Sequence, residues 1–126
     1  MMRLVAQDAE LSTFVAQGAL SPDEILKAYS VVLNSSPTRL TLLDLSSASL
    51  AHISGDSMRE LARRVAELGK KRRKAGRTAI VCSRDVDFGM ARMFSTLASL
   101  EGHPLKFAVF PGPNSARAWL RGETGE

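Results

Sequence analysis

Leu40-Thr41-Leu42-Leu43-Asp44-Leu45-Ser46-Ser47-Ala48-Ser49-Leu50-Ala51-His52-Ile53-Ser54-Gly55 is the stretch on which the reading of this chain turns. Within 39–45, the run after Arg39 is apolar except for Thr41 and Asp44, as expected of a central strand covered on both faces. Ser46-Ser47-Ala48-Ser49 predicts a polar loop, and Ile53-Ser54-Gly55 leads into a helix. A strand, a loop and a helix N-terminus thus follow in order. In open α/β sheets, ligands and partners bind outside the carboxyl ends of the strands, so the search for function begins at this loop.

Toward the N-terminus, 2–7 and 11–17 read as two short strands joined at Asp8-Ala9-Glu10, with Gly18 closing the second. Ser21-Pro22-Asp23-Glu24 is a helix start: Ser21 caps, Pro22 suits the first helical position and Glu24 completes a capping box. Ile25, Leu26, Tyr29, Val32 and Leu33 form the helix's apolar stripe, which ends at Asn34-Ser35-Ser36-Pro37.

Toward the C-terminus, a helix spans about 56–74 with Met58, Leu61, Ala62, Val65, Ala66 and Leu68 inward and Gly76 as its stop. Thr78 to Cys82 is a short buried strand, and Asp85 is placed to cap a third helix with the stripe Val86, Met90, Met93, Phe94, Leu97 and Leu100. Gly102 and Pro104 break that helix. A half-buried strand, Leu105 to Phe110, and a last helix, about Asn114 to Leu120, complete the order.

Helical crossovers between strands require a largely parallel sheet. The expected fold is α/β: about five strands, an antiparallel N-terminal edge strand and about four helices. The segments 39–45, 78–82 and 105–110 should run side by side in one direction. A single domain is expected over 1–120, with 121–126 as a frayed tail.

A chain of 126 residues can bury one core without a metal or disulfide staple. Cys82 is the lone cysteine, and 1–11 carries Asp8 and Glu10 with no long apolar run, so a reducing, cytoplasmic setting is expected. No stretch approaches the ~18–20 apolar residues of a membrane helix. The net charge of +4 is uneven: 59–77 holds nine basic side chains against Glu60 and Glu67, and the rest of the chain is net acidic. One basic face without interleaved aromatics argues against nucleic acid as partner.

Residue by residue, the chain resembles the anti-sigma factor antagonist, or STAS, domain. Asp44-Leu45-Ser46 matches the front of that family's Asp-Leu-Ser motif. His52-Ile53-Ser54-Gly55 stands where the family has Asp-Ser-Ser-Gly, so Ser54 and Gly55 match. It is similar over nearly its whole length to small bacterial STAS/Sec14-like proteins of unassigned function, through Gly18 to Glu24, Leu43 to Leu50, Phe88 to Phe94 and Ala116 to Leu120. The resemblance implies a STAS-like fold and a regulatory module in which a serine of the motif is phosphorylated by a partner kinase.

These readings mark Ser46, Ser47, Ser49, His52, Ser54 and Gly55 as a partner-binding surface and candidate phospho-switch, with Arg84, Asp85, Phe88 and Gly89 on the neighbouring loop. Ser54 has a purely structural reading as a helix cap, alongside Ser57 and Glu60. Asp44, His52, Cys82 and His103 invite a nucleophile-and-base reading, but no motif ties them together. The expectation is therefore a non-enzymatic protein-binding module with no catalytic residue, cofactor or metal. Lys70 to Lys74 reads as a solvated last helical turn. Met58, Met90, Met93, Phe88 and Phe94 read as core, or as the wall of a pocket for a small apolar, lipid-like ligand. Self-association is a further expectation if Phe110-Pro111-Gly112-Pro113 and the apolar helices leave a patch exposed.

Overall fold

A computed structural model of the chain describes residues 2–35, 38–72, 76–103 and 105–122. Five strands and four helices follow in the order β1 (Met2–Gln7), β2 (Leu11–Ala19), α1 (Pro22–Ser35), β3 (Leu40–Ser49), α2 (Gly55–Arg72), β4 (Gly76–Val81), α3 (Asp85–Leu100), β5 (Leu105–Phe110) and α4 (Pro113–Leu120). The strands lie in sequence order across one sheet. β1 pairs antiparallel with β2, and β2, β3, β4 and β5 are mutually parallel.

The layering follows from that order. Strands are always added on the same side, so crossovers of one hand put their helices on one face. Ile25, Leu26 and Tyr29 of α1, Leu61 and Val65 of α2, and Ala91 and Phe94 of α3 accordingly share one hydrophobic cluster with Leu45 and Ile80 of the sheet. The opposite face is covered by α4 alone, where Ala116, Trp119 and Leu120 pack on Leu40, Leu42, Ala79 and Val81. Phe110 rests its ring against Trp119, centroids 5.6 Å apart, so it belongs to this second cluster and does not supply the expected exposed patch.

Local signals explain several element ends. Asp8 accepts hydrogen bonds from the backbone N–H groups of Glu10 and Leu11, each 2.8 Å, which closes the hairpin and holds the Asp8 carboxyl below its usual range. The Ser21 N–H donates to Glu24 Oε1 at 3.1 Å while the Glu24 N–H donates to Ser21 Oγ at 3.2 Å, the reciprocal capping box read from sequence.

Four expectations are corrected. β3 does not stop at residue 45: it runs on to Ser49, because β2 also continues, pairing Gln17 with Ser47, Gly18 with Ala48 and Ala19 with Ser49 after a bulge. Gly18 sits inside β2 at φ 75°, where a side chain would be strained, and does not end it. Gly76 is the first residue of β4, and the C-terminal end expected for α2 at 73–74 lies outside the described residues. On α3, Met90, Met93, Phe94 and Leu97 of the expected stripe pack on the core beside the buried Asp87, Ala91, Ser95 and Ala98, but Val86 and Leu100 at its ends are 54% and 78% exposed. Residues 36, 37 and 123–126, which carry the expected helix break and most of the tail, also lie outside the described residues.

Candidate functional site at the carboxyl ends of the strands

The region singled out from sequence is built on two pinned segments. Asp87, on the third residue of α3 and 1% exposed, accepts the Leu50 N–H on Oδ1 at 2.8 Å and the Ser49 hydroxyl at 3.4 Å. Its other oxygen accepts Arg84 Nε at 2.8 Å, and Arg84 Nη2 donates to the Ala48 carbonyl at 2.6 Å. One buried carboxylate thus ties the end of β3 to the start of α3, and its charge is matched by a guanidinium and a backbone dipole. The Ser83 hydroxyl adds a bond to the Ser46 carbonyl at 3.2 Å. Asp87 was not read from the sequence because its partners on β3 and just after it are 37 and 38 residues away. The one local signal is the i, i+3 pairing of Arg84 with Asp87 at a strand-to-helix junction.

Asp85 does not cap α3: the cap position is Arg84, whose side chain makes no capping bond to the helix backbone, and Asp85 is the first helical residue. Asp87 turns its carboxylate to the end of β3 in the same turn.

Around that anchor the expected residues sort by exposure. Ser46, Ser47, His52, Ser54, Gly55, Arg84, Asp85 and Gly89 are exposed, while Ser49 and Phe88 are half-buried. Ser46 and Ser47 stand on β3 itself, not on a loop; Asp44 Oδ1 accepts both the Ser46 N–H, at 3.0 Å, and its hydroxyl. Ser49 accepts the Ala51 N–H at 3.2 Å, so together with its bond to Asp87 it acts as a structural pin. Phe88 packs on the main core. Ser54 accepts the Ser57 N–H at 3.1 Å and donates to the Ser57 hydroxyl at 3.0 Å, which makes it the cap of α2 while leaving it at the surface. A Cβ at Gly55 or Gly89 would meet nothing within 4 Å, so packing does not demand glycine at either position.

The nucleophile-and-base grouping is not assembled. Cys82 is buried, and burial first, then the charges of Asp87 and Asp44, push its thiol up to about 12, where it is no nucleophile at neutral pH. His103 precedes β5 and therefore lies at the amino end of the parallel strands, opposite Cys82. Among the described residues no three His, Cys, Asp or Glu side chains gather as metal ligands.

The basic face of α2 is largely self-neutralised. Arg59 pairs with Asp56 at 3.0 Å, Arg64 with Glu60 at 3.0 Å, and Arg63 with both Glu60 and Glu67; the two arginines hold the Glu60 carboxyl down at about 2. Of the run Lys70 to Lys74, Arg73 and Lys74 lie outside the described residues. No described helix is long and apolar enough to cross a membrane.

No family model and no curated protein matches the chain. Among solved structures it is similar to the anti-sigma factor antagonist SpoIIAA in its unphosphorylated form, with a TM-score of 0.55, 16% identity and 97% of each chain covered. At that identity the likeness defines the fold. The fold is STAS-like, an α/β sheet of five strands with one antiparallel edge and four helices.

Proposed function

We propose that the protein is a non-enzymatic regulatory module, a single STAS-like domain over 1–120 working in the cytoplasm, that docks a protein partner on the carboxyl-end rim of its parallel strands. The docking surface comprises Ser46, Ser47, His52, Ser54 and Gly55 together with Arg84, Asp85 and Gly89, with Ser49 and Phe88 behind them. The observation that carries this reading is the pairing of rigidity with exposure: the buried Asp87 carboxylate locks the two segments together while their outer side chains face solvent. Pre-ordered surfaces lose less entropy on binding. Val86, exposed in the first turn of α3, supplies an apolar anchor among the polar groups.

Ser54 is the switch in this reading. The similar solved structure is of an anti-sigma factor antagonist in its unphosphorylated form, which makes phosphorylation of this chain worth testing. Ser54 caps the 18-residue α2, so a phosphate of about −1.5 to −2 charge would face the positive end of the helix and change what docks there.

The test is quantitative capture from the native host with wild type, Val86→Arg and Ser54→Asp as baits, each first shown to fold. A companion retained by wild type, lost with Val86→Arg and altered with Ser54→Asp supports the rim. A companion held equally by all three removes both the rim and the switch.

A further inference from the structure

We propose that the cavity beneath α1 is a binding site for a small uncharged molecule with a ring-sized apolar body and one hydroxyl, of the phenol class. This cavity runs inside the molecule from Thr41 and Thr78 at the amino ends of the strands to Leu50 and Met58 behind the rim, and none of the rim's exposed side chains lines it, so the inference does not depend on the rim's function.

Its volume is about 90 Å³. Protein interiors rarely leave voids larger than a water, and ~10–15 Å³ is enough for one water, so this is room for a larger guest. Geometry explains the gap: α1 leans on α2 and on β1, and the space between it and the sheet is left to the cavity. Half-buried Met2, Ile25 and Ala28 form its outer rim, which gives a route in from the β1 side.

The walls are chemically two-sided. Phe14, Leu43, Val65 and Phe94 make an apolar body, and no described lining residue is charged. An ion would therefore be desolvated there without a counter-charge, which excludes charged guests. At the amino end of the strands the lining turns to hydroxyls. Thr41 and Thr78 are register partners on β3 and β4, 9% and 3% exposed. Neither makes a side-chain hydrogen bond among the described residues, yet no fully enclosed side-chain oxygen there lacks a partner, so each hydroxyl keeps some accessible surface, and both residues line the cavity. They are adjacent donors and acceptors without a side-chain bond among the described residues.

The same end is held rigid. Tyr29 lines the cavity and its hydroxyl is hydrogen-bonded to His103 Nε2. The His103 ring stacks edge-on against Phe107, centroids 4.9 Å apart, and lies so close to α2 that a Cβ at Gly69 would come within 2.4 Å of it. A hydroxyl-bearing ring fits this arrangement: the apolar body receives the ring, and the two threonines receive the hydroxyl.

The experiment is a ¹⁹F NMR titration of the full chain with 4-fluorophenol and, separately, fluorobenzene. The expected result is saturable binding of 4-fluorophenol, with fluorobenzene about fivefold weaker, the worth of one hydrogen bond. In the Thr41→Val/Thr78→Val variant the phenol should fall to the level of fluorobenzene, whose own binding stays. If the double variant does not fold, Thr41→Val alone carries the comparison. Absence of saturable 4-fluorophenol binding to wild type, equal affinity for the two probes, or unchanged phenol binding in a folded threonine variant would each overturn the assignment.

Discussion

The two ends of the parallel strands β2 to β5 are built on opposite plans. At the carboxyl ends, polar side chains are either tied to backbone, as Asp87 and Ser49 are, or exposed to water, as Ser47 and His52 are. At the amino ends, Thr41, Thr78, Tyr29 and His103 are turned inward, and an apolar cavity is left above them. One end is a fixed surface and the other a fixed interior. If both proposals hold, the difference teaches that one α/β sheet separates recognition of a large partner on its surface from recognition of a small one in its interior.

The largest expected effect comes from removing the anchor. Asp87→Ala leaves the buried Leu50 N–H without its acceptor and takes from the Arg84 guanidinium one of its two acceptors, and should cost about 3–4 kcal/mol in chemical denaturation, since a stranded buried donor and a lost charge-assisted bond both count. A cost under 1 kcal/mol would mean that the rim is not held together by this carboxylate.

Next comes acid. Burial holds His103 down at about 4 against an ordinary 6.5, so the folded ring stays neutral where the unfolded ring takes up a proton. Its contribution is complete above about pH 6.5 and is lost as pH falls through 4, a swing of roughly 3 kcal/mol at most. His103→Gln should flatten the stability profile between pH 6.5 and 5. An unchanged slope would show that the amino end is open to water.

Smaller effects sharpen the contrast. Thr41→Val replaces a hydroxyl without a side-chain bond among the described residues and should raise the stability of the ligand-free protein by about 1 kcal/mol, an unusual sign for a core substitution. A loss would show that water already satisfies that group. At the opposite end Ser21→Ala cuts the reciprocal cap of α1 and should cost ~1 kcal/mol, read as a shift in denaturation midpoint.

How far the sequence alone could carry these points depended on the range of the interactions. The Ser21–Glu24 box and the Asp8 turn are set by neighbours a few residues away, and Trp119 shares a helical stripe with Ala116 and Leu120, so each was readable from pattern. The parallel run of the segments beginning at Leu40, Gly76 and Leu105 followed from the helical crossovers. Ser46 to Ser49 looked like a loop because serine clusters usually mark one; only pairing with the tail of β2 makes it strand. Val86 and Leu100 fit the helical period of α3 but stand at its ends, beyond the sheet, so spacing alone misplaced them. Asp87 and the cavity threonines depend on residues far along the chain; the Arg84–Asp87 spacing is the one local hint of the first, and none announces the second.

The central claim is that the carboxyl-end rim is the recognition surface, and hydrogen–deuterium exchange of the protein alone and bound to its captured companion tests it most directly. Slowed exchange confined to 46–55 and 84–89 is the predicted result. Protection on the outer edge of β1 or over α4, with the rim exchanging as in the unbound protein, would contradict it.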